Sequence, residues 1–562
     1  MVKGPSSILY GSGPPSGIVN LVSKMPTAQQ FGEIQLSGGD FDRKQAAFDI
    51  GGPADPQGQF LYRFTGLVRD AQTQVDYTKD NRYFVAPAVT WRPDQNTSLT
   101  VLAHVQKSES GFFNFLPSRG TFLPNVNGQI STSLYTGDPN FNRSTITSED
   151  IGYQLEHRFS DVVTVRQNYR HMWLTVNQDD VFSNALAADQ ATVSRFAFSN
   201  RDNWGTDTLD NQVQLNFNTY DLKHTILAGY DFQNSVEDHK TGTGAAPSLN
   251  LFNPVYYVPI TPPAFTADTT QTFQQNGIYL QDQIKLGGLI TLLGIRHDRA
   301  DTDTLNNFTN KTASQSDEAT TKRAGLLYLF DSGIAPYVSY SESFQPQVGT
   351  DFSGAAFKPT TGKQWEAGVK YQPTLFNALF TAAVFDITRE NVTTADPAHP
   401  PFSIQLGEVV SRGLELESRV SLSNELDVLA AYTYLDAKVT QSTGADLGKH
   451  PVGVPQNAAS LWADYTFRRG ALNGFGLAGG VRYIGPTAGD AANTVEVPEY
   501  TLFDAALHYD LAYLDPRFKG FKLQINATNL FDRIYTASCL AAPNQCFYGL
   551  RRTVLGSLTY RW

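Results

Sequence analysis

Residues 412–423 read RGLELESRVSLS. Leu414, Leu416, Val420 and Leu422 fall on alternate positions, and Glu415, Glu417, Arg419 and Ser421 fall between them. A period of two places these sets on opposite faces of an extended chain, one apolar and one polar. The same alternation recurs outward in both directions. FKLQINATN (521–529) sets Phe521, Leu523, Ile525 and Ala527 against Lys522, Gln524, Asn526 and Thr528. ASLWADYTF (459–467) aligns Leu461, Ala463, Tyr465 and Phe467, and YFVAPAVTW (83–91) aligns Tyr83, Val85, Val89 and Trp91. From about Phe31 onward no helical period longer than about two turns interrupts the pattern, so the class is all-β.

A chain of 562 residues suggests several domains by length alone, but its composition points to one large β architecture. Aromatic residues make up 12%, with 26 Tyr and 36 Phe, against only 3 Met and 2 Cys. No apolar run reaches the ~18 residues of a transmembrane helix, which excludes a helical membrane protein. A net charge of −11 argues against nucleic acid as a partner.

Connections come in two kinds. RPDQNTS (92–98) is short, whereas residues 237–271 read as one long polar loop. Short turns at one rim and long loops at the other are the layout of a membrane barrel. Tyr and Phe near strand ends (Tyr62, Tyr83, Tyr340, Tyr432, Tyr434, Tyr465, Phe467) suit its aromatic girdles. The chain ends TVLGSLTYRW, with Val554, Leu558, Tyr560 and Trp562 alternating to the last residue. This strand resembles the assembly signal of outer-membrane barrels, and pairing it with the first strand would remove both edges.

The opening stretch VKGPSSILYGSGPPSGIVNLVSKMP (2–26) invites a phosphate-loop reading, which fails. Gly11, Gly13 and Gly17 fit neither nucleotide-binding spacing, and Pro14 and Pro15 remove backbone donors. The stretch instead resembles the C-terminal end of the plug domain of TonB-dependent siderophore receptors. In that family V-x-x-G-P-x-S-x-L-Y-G leads through G-G-x-[IV]-N-[LIM]-V-[ST]-K into the first barrel strand. Ser16 replaces the first Gly of that pair. YSESFQP (340–346), GKQWEAGVKY (362–371), SRGLELE (411–417) and ATNLFDRIY (527–535) agree in order along the chain. Among relatives the resemblance is greatest to ferrichrome and hydroxamate-type receptors.

The resemblance implies a transmembrane antiparallel barrel of about 22 strands. Residues 31–562 would form it, and residues 1–30 would be the C-terminal remnant of a plug. On the family's layout a signal peptide, the box that binds TonB and most of the plug would precede this sequence, which therefore reads as a fragment. The implied function is import of a ferric siderophore of hydroxamate type across the bacterial outer membrane by a monomer energised through TonB. The alternatives are a passive porin-like channel or surface receptor, or a TonB-dependent receptor for haem or cobalamin. The haem-receptor motifs FRAP and NPNL are absent. No nucleophile–base set is found, so no enzyme is expected.

A siderophore wraps iron in its own oxygens, so neither a cofactor nor a metal site is expected. Nine His residues are scattered without a metal-binding motif, and Asp179–Asp180 reads as a solvated loop pair. The surface for the chelate should be aromatic. ESGFFNFLPSRG (109–120) displays Phe112, Phe113 and Phe115 in an outward connection. In relatives the positions of Phe113 and Phe115 carry aromatic cargo contacts, often Tyr and Trp. Phe182, in QDDVFSNAL, matches another aromatic position, while Asn184 stands where a Tyr is expected. Phe547 and Tyr548 are further candidates. Cys539 and Cys546 frame CLAAPNQC, a spacing that fits neither a CxxC redox pair nor a zinc pattern. Relatives carry a similar pair as a loop disulfide, and the same bridge is expected here.

Overall fold

The computed structural model describes residues 2–110, 114–396, 398–399 and 403–562. Its body is a closed antiparallel barrel of 22 strands, as the family resemblance implies. Neighbouring strands follow chain order, and the last strand, Thr553–Arg561, closes on the first, Phe31–Gly39, with Leu558 opposite Leu36. Closure leaves no barrel edge with unpaired backbone groups, which lipid could not satisfy.

Alternation produces the two surfaces. On Ala267–Leu286, Ile278 and Leu280 are 58% and 49% exposed, while Tyr279 between them is buried. On Leu289–Asn306, Leu293 and Ile295 are exposed, while Arg296 and Asp298 are fully buried. Exposed apolar rows of this kind would be unstable in water and belong against lipid. On Ser403–Ser421, Leu416 lies on the exposed row and Glu415 and Glu417 point inward to Lys3.

The short turns, such as residues 92–96 and 287–288, share one rim with the chain terminus. There Phe521 stacks on Tyr560 at 4.4 Å and Tyr560 on Trp562 at 5.4 Å, forming part of an aromatic girdle. At the other rim strands run far beyond the membrane. Thr192–Thr219 has 28 residues and Leu222–Asn250 has 29, against the ~9–11 that span a bilayer. The long polar loop read at 237–271 is thus mostly strand. Residues 237–250 continue one strand, 267–271 begin the next, and only 251–266 form the connection. Above the lipid both faces of a strand are wet, so no apolar row marks it.

Candidate functional site

The outer connections pack into a layer over the long rim. Leu116, Ile130 and Leu134 from residues 111–142 join Val193, Leu249 and Leu251 in a small buried core, with Tyr548 and Tyr256 packed against it. The connection before the last strand adds a hairpin, Thr536–Ala541 with Gln545–Tyr548. Cys539 and Cys546 are bonded across it, with Cα atoms 3.9 Å apart. The hairpin is stitched to the neighbouring loop by backbone bonds between Leu116 and Cys546, at 3.0 and 2.9 Å.

The aromatic candidates divide. Phe115 lies 5.4 Å, centroid to centroid, from Phe182 and 5.6 Å from Phe547. Phe182 in turn lies 5.6 Å from both Phe196 and Phe198. Five rings from three separate parts of the chain thus meet at spacings typical of offset and edge contacts. Ser183 Oγ donates to the Phe115 carbonyl at 2.5 Å and holds that loop to the strand. Phe196 and Phe198 were not among the sequence candidates. Their signal lay in RFAFS, where two Phe alternate on the face paired with Phe182. Phe112 and Phe113 lie outside the described residues. Asn184 is exposed and adds no ring to the cluster.

Tyr548 does not join these rings. Its hydroxyl lies 3.0 Å from the Gly120 carbonyl and 2.9 Å from the Ile130 carbonyl, a shared donor inside the loop core. Its role is to bind loops together.

The cluster faces the barrel interior. On Val163–Leu186, Arg170 reaches Ser23 Oγ of the N-terminal segment at 3.3 Å, so it points into the lumen. Phe182 is separated from Arg170 by an even number of residues and shares that face, whereas Trp173 is on the opposite face and 47% exposed. Phe196 and Phe198 lie opposite Phe182 and Asp180, and cross-strand partners share a face.

Beneath the rings is a buried polar group. Tyr135 Oη donates to Asp180 Oδ1 at 3.0 Å, and the Val181 N–H donates to the same oxygen at 2.7 Å. Burial pushes the Asp180 carboxyl up to about 7. Asp179 instead pairs with Arg201 at 2.8 Å. The reading of Asp179–Asp180 as a solvated loop pair is therefore corrected: both are in a strand, and Asp180 is buried. The two hydrogen bonds from its neighbours offset only part of what burial removes.

The N-terminal segment lines the inner wall. Val2–Lys3 pairs with Gly17–Ile18, and a single helical turn, Ser7–Tyr10, lies between them. Lys3 Nζ is 2.5 Å from Glu415 and 2.6 Å from Glu417. The Phe344 N–H donates to Ser7 Oγ at 3.2 Å, and the Gly13 N–H donates to the Phe344 carbonyl at 2.9 Å. Further on, Lys24 and Arg63 both pair with Asp49 at 2.6 Å. Gly11, at φ +69°, passes over the wall so closely that a Cβ there would lie 2.5 Å from Gln275 Nε2. Only glycine permits both that backbone and that approach. A cavity of about 530 Å³ separates the segment from the wall, bordered by Pro14, Pro15, Gln364, Glu366 and Arg389.

Comparison with known proteins places this architecture. Residues 88–530 match the family described as TonB dependent receptor-like, beta-barrel. The ferrichrome outer membrane transporter/phage receptor of Escherichia coli K12 is 38% identical over the whole of this chain and 78% of its own length. The ferrioxamine B receptor of Salmonella typhimurium is 34% identical over the whole chain and 79% of its own length. The crystal structure of the siderophore receptor PiuA of Acinetobacter baumannii superposes with a TM-score of 0.89 at 21% identity, covering all of this chain and 85% of that one. With its closed barrel, inward N-terminal segment and layered outer loops, the chain belongs to the TonB-dependent receptors, transporters of the bacterial outer membrane and not enzymes.

Proposed function

We propose that this receptor takes up a ferric siderophore of the hydroxamate class, held at the mouth of the barrel by Phe115, Phe182 and Phe547 together with Phe196 and Phe198. The observation that carries the reading is the convergence of these rings from three outer segments onto the lumen side. Aromatic faces suit the carbon skeleton of such a chelate, whose iron is enclosed by its own oxygens. The ferrichrome and ferrioxamine B receptors, 38% and 34% identical, both align over the whole chain, which favours hydroxamates over haem or cobalamin. Phe at the positions where relatives often carry Tyr or Trp keeps stacking and gives up hydrogen-bonding tips, which favours a less polar chelate surface.

Residues 1–30 act, on this reading, as the end of a plug, and 31–562 as the barrel. Lys3 on Glu415 and Glu417 anchors that plug end to the wall. Import would be driven by TonB acting on the plug, with the receptor working as a monomer. The test is accumulation of radiolabelled ferrichrome and ferrioxamine B in receptor-null cells supplied with the full-length receptor, TonB box and plug included, with and without TonB. Uptake of at least one that disappears without TonB and falls in the Phe115→Ala/Phe182→Ala variant supports the reading. Uptake unchanged by the double substitution would place the cargo elsewhere.

A further inference from the structure

The two longest strands, Thr192–Thr219 and Leu222–Asn250, place Asp202 opposite His239 and Trp204 opposite Glu237. One ligand atom from each of Asp202, Glu237 and His239 lies within 4.8 Å of the other two. Asp202 shares the lumen face of Phe196 and Phe198 by strand parity and sits roughly 13 Å further down than Phe198. His239 Nδ1 is hydrogen-bonded to Asp202 Oδ1.

Two features make this more than a cross-strand ion pair. Asn200, on the same face, is only 9% exposed, and its carboxamide is turned onto the cluster: Nδ2 donates to Asp202 Oδ2 at 2.5 Å. Its Oδ1 is buried without any partner. An orphaned buried amide oxygen is unfavourable and invites an electrophile. Glu237 has no ion pair among the described residues. The neighbouring positions in register on that face are Val176 and Gln178 on one side and Thr269 and Gln271 on the other, none of them cationic. Two carboxylates are thus held close together on a protein wall, and among the described residues one imidazole is the only ion-pair partner of either.

We propose that Asp202, Glu237 and His239, joined by Asn200 Oδ1 after rotation of its carboxamide, bind a divalent transition-metal ion of the zinc class on the lumen wall. One imidazole nitrogen with two or three oxygens suits Zn²⁺, whereas Ca²⁺ and Mg²⁺ require all-oxygen shells. On binding, His239 Nδ1 and Asp202 Oδ1 turn from each other to the ion. The ion would tie the two longest strands together beneath the aromatic rings. It is distinct from the cargo iron, and the inference does not rest on the cargo reading.

The test uses the purified, folded chain in detergent, stripped with chelator and titrated with Co²⁺ followed optically and with Zn²⁺ followed by calorimetry. One equivalent of Zn²⁺ should bind and displace Co²⁺, and a hundredfold excess of Ca²⁺ should not. Glu237→Gln should weaken binding at least tenfold, and Asp202→Asn/His239→Gln should abolish it. His224→Gln, which removes the unrelated His224–Asp282 pair, should leave it unchanged. Glu237 has no ion pair to lose, so its variant remains decisive if the double variant does not fold. Absence of stoichiometric binding, displacement by Ca²⁺, or binding unaffected by Glu237→Gln would overturn the proposal.

Discussion

The ring of Phe115 packs 5.4 Å from that of Phe182, although one belongs to an outer connection and the other to the upper end of a barrel strand. The Ser183 hydroxyl, next in sequence to Phe182, fixes the Phe115 backbone in that position. A strand end and a loop are thereby locked into one aromatic surface at the mouth of the lumen. The hairpin closed by Cys539 and Cys546 brings Phe547 to the same surface. Neighbouring positions then have separate tasks: Phe547 adds to the surface and Tyr548 holds the loops.

Tyr548→Phe should separate these tasks. It removes a buried hydroxyl donor from the Gly120 and Ile130 carbonyls and should destabilise the loop layer by about 1–2 kcal/mol. Affinity for a ferric siderophore should change less than about twofold, because the ring faces the loop core. Calorimetric melting together with a binding titration checks both. A large loss of affinity with unchanged melting would return Tyr548 to the cargo surface.

The Cys539–Cys546 bridge should withstand alkylation of the non-reduced protein, with no thiol modified. Replacing both by Ser should lower the stability of the hairpin by about 2.5 kcal/mol on the chain-entropy model. Affinity should fall with it, since Phe547 follows Cys546 directly. Two alkylated thiols in unreduced protein would contradict this account.

The buried Asp180 carboxyl gives the loop layer a pH dependence. Burial raises its folded value to about 7, against an ordinary value near 4. Between those values the folded state holds a proton that the unfolded state releases, so this group's contribution to stability declines as pH rises from about 4 and is lost above about 7. The outer layer should therefore melt higher at pH 5 than at pH 8, and Asp180→Asn should flatten that difference. Calorimetry of both proteins at the two pH values decides it. An identical pH dependence in the variant would show that the carboxyl is not the cause.

Much of this molecule can be read from alternation, and the limits of alternation mark what cannot. Leu414 and Leu416 against Glu415 and Glu417 gave the lipid face and the lumen face directly. That Lys3 would be the partner of both glutamates could not be read, because the barrel brings together residues at opposite ends of the chain. Residues 237–250 read as loop because a strand above the membrane has water on both sides and loses its apolar row. Phe115 and Phe182 were found through the family resemblance and Phe547 through its place beside the cysteine pair, whereas Phe196 and Phe198 carried a period-two signal of their own in RFAFS. The burial of Asp180 depends on Tyr135, which arrives from a distant loop, and sequence spacing gave no sign of it.

The central claim is that the phenylalanine cluster at the barrel mouth is a hydroxamate-siderophore site. It is tested most directly by titrating the purified receptor with ferrichrome and ferrioxamine B while following tryptophan fluorescence. The account predicts saturable binding of at least one of them, weakened by about 1–3 kcal/mol in Phe115→Ala/Phe182→Ala, with the barrel still folded. Saturable binding of equal strength in the native and doubly substituted receptor, or no binding of either chelate, would contradict it.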